Sequence, residues 1–198
     1  QMRVELFAKD SASLISSSRF LYKCGARSVN LPNKARDSPP IPALQALSAA
    51  LTPAELREVV PHYSLKFNSE RSPAAALARF EEFLELAKSR YGVRQCLLVS
   101  GSGTRAFDTV ACLRAMRDGP NRPEIGVAFN PFFEALADRE AERARLRQKL
   151  ATGRVHAIWL QIGSDLKLLA EGLAFLDDVS HDRGRLRVYG SIFVPSKR

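Results

Sequence analysis

The chain has 198 residues, 45% hydrophobic and 26% charged, with no low-complexity tract. That composition fits one globular domain with a sizeable core and excludes a disordered or fibrous protein. No apolar run approaches the roughly 20 residues needed to cross a bilayer, so no membrane span is expected, and the formal net charge of +9 favours anionic partners such as RNA, acidic lipid or phosphorylated ligands.

In chain order, the first strand is predicted at 3–10 (RVELFAKD) and the first helix from Ser11 to Tyr22, capped by Asp10 or Ser11. A strand follows at 27–33 (RSVNLPN). Pro32 to Pro42 holds four prolines and reads as a surface loop. Thr52-Pro53-Ala54-Glu55 resembles a capping box with Pro at the first helical position. The third strand is 59–64 (VVPHYS). The next helix is capped at Ser72 with Pro73 at its start, and Ala76, Leu77, Phe80, Phe83, Leu84 and Ala87 form an apolar stripe for a sheet. Strand 95–103 (QCLLVSGSG) leads to a helix from Thr104 to Met116, stopped by Asp118-Gly119-Pro120. Strand 124–131 (EIGVAFNP) precedes a charge-rich helix from Phe133 to Ala151. Strand 155–163 (VHAIWLQIG), a helix from Ser164 to Asp177 and strand 186–195 (LRVYGSIFVP) complete the series.

Strands alternating with helices predict parallel β-α units with right-handed crossovers. Seven such strands make an α/β protein, most simply a (β/α)8 TIM-type barrel of about seven units. It would be a single domain over 1–198, lacking its last strand and helix. An open parallel sheet leaves strand edges to be covered, so either the remaining barrel turn lies outside this sequence or a partner fills the gap. The chain begins with Gln and has no signal-peptide core at its start, so a processed form or the ordered part of a longer chain is the expectation. A barrel carries its functional groups at the carboxyl ends of its strands. Those positions are Glu5, Asn30, His62, Ser100 to Ser102, Asn130, Gln161 and Ser191.

Glu5 interrupts an apolar strand. Inside a barrel its carboxyl would be pushed towards the protonated form, which suits a general acid; at the rim it would simply face Arg3 or Lys9. His62 either lines a ligand pocket or hydrogen-bonds within the core. The turn Ser100-Gly101-Ser102-Gly103-Thr104-Arg105 could receive an anion at a helix start, but it lacks the P-loop Lys, and a capped βα turn is the plainer reading. The helix with Arg139, Arg143, Arg145, Arg147 and Lys149 is either an RNA- or membrane-facing strip or a solvated face, and the basic residues of the C-terminal tail add to the balance. Cys24, Cys96 and Cys112 form no CxxC pair and read as free thiols in a reducing compartment. His62, His156 and His181 lack metal-ligand spacing, so no metal is proposed.

Several segments resemble methylenetetrahydrofolate reductase, a flavin-dependent (β/α)8 barrel. Val4-Glu5-Leu6-Phe7 is similar to its first strand, Pro61-His62-Tyr63-Ser64 to its third, and Ile125-Gly126-Val127-Ala128 with Pro131 to its fifth. Leu146 to Leu150 with Gly153 and Ala157-Ile158 matches the passage into its sixth strand, and Gly190 to Pro195 its seventh. The resemblance implies that Glu5 is the proton-donating acid. It sets His62 and Lys149 beside FAD, Lys149 on the phosphate or ribose side. Ser102 stands where the family has a strand-four aspartate against flavin and folate, and Asn130 stands where it has a tyrosine. The pterin-holding glutamine falls on Leu160, with Gln161 one residue away and therefore on the opposite face.

Two functions follow as expectations. One is a catalytically degenerate relative recruited as an accessory or structural subunit of a larger assembly, mitochondrial and in contact with protein subunits and RNA. The other is an active FAD-dependent reductase of methylenetetrahydrofolate, mitochondrial or cytoplasmic.

Overall fold

The computed structural model describes residues 3–33, 40–52, 58–68, 70–101, 107–119, 121–180 and 186–191. Among the described residues, seven strands alternate with six helices, the α/β rhythm that the sequence predicts. The chain forms two compact units, divided between Glu124 and Ile125.

The first unit holds β1 (Val4–Glu5), α1 (Ser11–Lys23), β2 (Ser28–Leu31), α2 (Pro40–Ala50), β3 (Glu58–Ser64), α3 (Pro73–Tyr91), β4 (Gln95–Val99) and α4 (Thr109–Ala115). Its strands pair in chain order and in parallel. Local chemistry sets the helix ends. Asp10 accepts from the Ser13 N–H at 2.7 Å and Ser13 Oγ accepts in return from the Asp10 N–H at 3.3 Å, which closes a capping box. Ser72 Oγ accepts from the Ala75 N–H at 3.2 Å with Pro73 at the first position. At the other end of α3, Gly92 stands at φ 62°, a left-handed conformation that glycine adopts without Cβ strain. Ala76, Phe80, Phe83, Leu84 and Ala87 of α3 are buried as expected, and Tyr63 of β3 packs its ring 4.7 Å from Phe80 and 4.9 Å from Phe83.

α2 differs from the expectation. Pro40 and Pro42 lie in its first turn, where a missing N–H leaves no intrahelical bond unmade, so the proline-rich stretch partly opens a helix. The capping box at Thr52 to Glu55 falls mostly outside the described residues. α4 is shorter than expected, its cap being Asp108, which accepts from the Ala111 N–H at 2.9 Å; residues 102–106 lie outside the description.

The second unit holds β5 (Glu124–Phe129, the boundary residue included), α5 (Leu136–Ala151), β6 (Val155–Leu160), α6 (Leu166–Ser180) and β7 (Arg187–Tyr189). β5, β6 and β7 pair in parallel, with a register irregularity at Ile125/Gly126. Its core gathers Val127, Phe129, Leu146, Leu150, Ile158, Phe175 and Leu176. Phe129 meets Phe175 of α6 with ring centroids 5.6 Å apart. A Cβ on Gly172 would collide with Pro131, so glycine lets α6 close onto the end of β5.

Candidate functional site

In the first unit, alternation along each strand assigns the faces. Tyr63 lies against α3, so Val60, His62 and Ser64 belong to the face turned away from that helix. Register carries this across the sheet: Glu5 aligns with Asn30, Asn30 with Val60, and His62 with Leu97. Gln95, two residues before Leu97, shares the same face. Glu5 and His62 are therefore brought to one face of one sheet, with Asn30 and Gln95 between or beside them.

Glu5 is exposed, which fits the rim alternative for this residue and not the buried carboxyl inside a barrel. The reason is positional: β1 is two residues long and, among the described residues, pairs only with β2. Arg3, one level below, makes the ion pair with Glu58 at 2.8 Å. His62 is half-buried. Gln95 has no solvent exposure, yet among the described residues neither its amide nitrogen nor its oxygen has a hydrogen-bond partner, and Asn30 Oδ1 also lacks one. Gln95 was hidden from sequence reasoning because it heads an apolar strand.

At the carboxyl ends of β2 and β3, Asn33 Oδ1 accepts from Asn68 Nδ2 at 2.7 Å and from the Ser64 N–H at 3.3 Å. Both asparagines are buried. This polar clamp has no motif in the sequence, since its members are 35 residues apart. Ser102 lies outside the described residues. Ser100 is a structural cap: its Oγ accepts from the Thr109 N–H at 2.9 Å and lies 2.7 Å from Thr109 Oγ1.

In the second unit, Asn130 and Gln161 each follow a residue of one register pair, Phe129 and Leu160, which sets them side by side. Asn130 Oδ1 accepts from the Phe132 N–H at 3.0 Å, an Asx turn, and its own N–H donates to Glu142 at 3.2 Å. Gln161 is exposed, its backbone N–H donating to the Phe129 carbonyl at 2.8 Å. Ser191 Oγ donates to the Leu160 carbonyl at 2.7 Å. Lys149 is buried and its Nζ donates to the Ala128 carbonyl at 3.0 Å.

The basic residues of α5 are mostly engaged. Arg139 Nη1 donates to the Phe133 and Glu134 carbonyls. Arg143 pairs with Glu140 at 2.8 Å, and Arg143 and Arg147 lie 5.4 and 4.8 Å from the Phe175 ring centre. On the face turned away from Phe175, Trp159 stacks against Tyr189 with centroids 4.5 Å apart and covers Gly126, where a Cβ would run into the indole.

Cys96 and Cys112 are buried and Cys24 is exposed. Burial pushes both inner thiols up, Cys112 to about 12, so neither is a thiolate at neutral pH. Among the described residues, no three His, Cys, Asp or Glu side chains are grouped to hold a metal, and no helix is long and apolar enough to cross a membrane. A scan against models of known protein families finds no match, and a search of curated proteins finds none either.

Proposed function

We propose that this chain is a catalytically degenerate relative of methylenetetrahydrofolate reductase, an incomplete TIM-type barrel that serves as an accessory or structural subunit of a larger, mitochondrial assembly. The observation that carries this reading is the placement of Lys149. The resemblance gives that position the phosphate or ribose side of a flavin, but the side chain is buried and its ammonium donates to the Ala128 carbonyl. A flavin phosphate would have to break that bond and draw a buried charge outward. Asn130 closes its own turn, Ser102 offers no carboxylate, and the Trp159–Tyr189 stack fills one face of β5–β7. These residues do not fit a flavin, and no reaction step is derived through one. The net charge of +9 supports an assembly with anionic components.

An active FAD-dependent reductase is the second reading, favoured by the polar face of the first unit. There Glu5 would donate the proton on the sheet face that it shares with Asn30, His62 and Gln95. The visible absorption spectrum of natively purified protein, and of its denatured supernatant, separates the two. A colourless protein that takes up no added FAD and co-elutes with a larger complex is expected. Flavin released in near-stoichiometric amount overturns the proposal and makes the Glu5→Gln variant the next assay.

A further inference from the structure

In parallel β-α units the strand starts and the helix ends share one end of the sheet, opposite the strand ends. In the first unit the charge is divided unevenly between the two. The segments before β1 to β4, residues 3, 19–27, 50–58 and 85–94, hold eight Lys and Arg against three Asp and Glu. The segments after those strands, residues 5–11, 32–40, 65–73 and 100–109, hold six against five. Both counts take every residue of these segments from the sequence, including those outside the description. The carboxyl ends of α1, α2 and α3 offset the first excess by about half a charge each, which leaves most of it in place.

Some of these cations are already engaged. Arg3 pairs with Glu58, Arg19 Nη2 donates to the Ala50 carbonyl at 3.2 Å, and Arg27 Nη1 donates to the Tyr22 carbonyl at 2.8 Å. Arg90 stands 5.9 Å from the ring centre of Tyr91. Lys23, Lys88 and Arg94 are open: Lys23 and Arg94 are exposed, Lys88 is half-buried, and among the described residues none of the three pairs with a carboxylate. The engaged residues tie the open ones into one strip. Arg19 joins the last turns of α1 to the end of α2, and the Arg27 carbonyl accepts from the Glu58 N–H at 3.2 Å where β2 and β3 begin. Arg94 leads into β4 on the other side of β3, two strand spacings or about 10 Å from the start of β2.

Phe20 narrows the partner. It lies in the last turns of α1, next to Arg19 and one turn before Lys23, and it is 65% exposed. Among the described residues it is the one large apolar side chain so exposed in the segments that precede the strands. A single ring among cations is a poor wedge for a lipid surface, which takes up a broad apolar helix face. It suits a nucleic-acid base, which stacks its π-face on an aromatic ring while the phosphates meet the cations. The bases of a duplex are stacked on one another, so the match is to a single strand.

We propose that the strand-start end of the first unit binds single-stranded RNA, with phosphates on Lys23, Lys88 and Arg94 and a base stacked on Phe20. This gives the anionic component of the proposed assembly a place on the chain without needing the reductase ancestry, and its failure would leave the flavin spectrum to decide that reading by itself. The probe is a labelled oligouridine of about 12 nucleotides, within the site sizes of single-strand binders, titrated into the full chain by fluorescence anisotropy across a salt series. Saturable binding is expected. Lys23→Gln combined with Arg94→Gln should lower the slope of log affinity against log salt by about 1.4, or about 0.7 for each phosphate contact. Arg71→Gln, at the opposite end of the unit, should leave the slope unchanged. Phe20→Ala should weaken binding about tenfold with the slope unchanged, and an exposed ring can be removed from a folded protein. No saturable binding, an equal loss of slope in Arg71→Gln, full affinity in Phe20→Ala, or tighter binding to polyglutamate or to phosphatidylserine vesicles would each overturn the assignment.

Discussion

Gly126 shows how much one missing Cβ decides. It lies on β5 two residues before Ala128, whose partner on β6 is Trp159. The indole, 7% exposed, lies over the bare backbone. Gly126→Ala has no rotamer to relieve the collision, so the indole or the strand must move. A loss of about 1–3 kcal/mol is expected, the usual cost of overpacking a filled core. Trp159 is the sole tryptophan of the chain, so the same variant should shift tryptophan emission to the red as the ring is pushed towards water. Urea unfolding followed by fluorescence measures both. Adding Trp159→Leu should recover part of the loss, since the two residues act on one another directly. An unchanged midpoint and unchanged emission would mean that the indole does not depend on this glycine.

Among the elements, α3 is held by an ion cluster that spacing does not reveal. Glu81 is buried on the helix at 5% side-chain exposure, and its carboxylate accepts from Arg117 Nη2 at 2.6 Å, the Arg117 N–H at 2.9 Å and Arg122 Nη1 at 3.1 Å. Burial alone would push this carboxyl up. The hydrogen bonds from Arg117 and Arg122 outweigh it and hold the group down at about 2. The folded state therefore binds this proton less readily than the unfolded chain, whose carboxyl titrates near 4.5. Its contribution is complete above that value and is lost as pH falls towards 2. Glu81→Gln should cost about 1–2 kcal/mol at neutral pH, the low end for charged hydrogen bonds because Arg117 is solvent-screened. The gap from wild type should close between about pH 4.5 and 2, as read from urea midpoints across that range. A gap independent of pH would remove the charge from the explanation. The sequence made α3 legible through Ser72, Pro73 and its apolar stripe, all of which act within a turn or two of the chain. It did not show Glu81, whose partners lie 36 and 41 residues on. α2 was missed for the opposite reason: its prolines are a strong loop signal everywhere except in a first turn. Of the candidate site, the strand pattern placed Glu5, Asn30 and His62 on β1, β2 and β3, while the register that aligns Glu5 with Asn30 and sets His62 on the same face comes from the pairing of the strands. The exposure of Glu5 and the burial of Lys149 depend on neighbours that no local pattern names.

For the molecule as a whole, the question is where the charge of +9 can act. α5 reads as a basic strip in the sequence, yet Arg139 is bonded to backbone carbonyls, Lys149 is buried, and Arg143 and Arg147 flank the Phe175 ring. Guanidinium groups committed to an aromatic face are poor candidates for releasing counterions from RNA. Replacing both Arg143 and Arg147 by Gln should therefore lower stability, by about 0.5–1 kcal/mol for each cation–π interaction removed. It should leave the salt dependence of polyanion binding nearly unchanged. The comparison is a plot of log affinity for single-stranded RNA against log salt, wild type beside the double variant. An arginine that neutralised a phosphate would lower the slope by about 0.7 on its removal. An unchanged slope with a lower unfolding midpoint makes these two arginines part of the packing around Phe175 and sends the search for the anion-binding surface to other basic residues of the chain. A slope reduced by about twice that amount, with stability intact, would return α5 to the role of an RNA-facing strip.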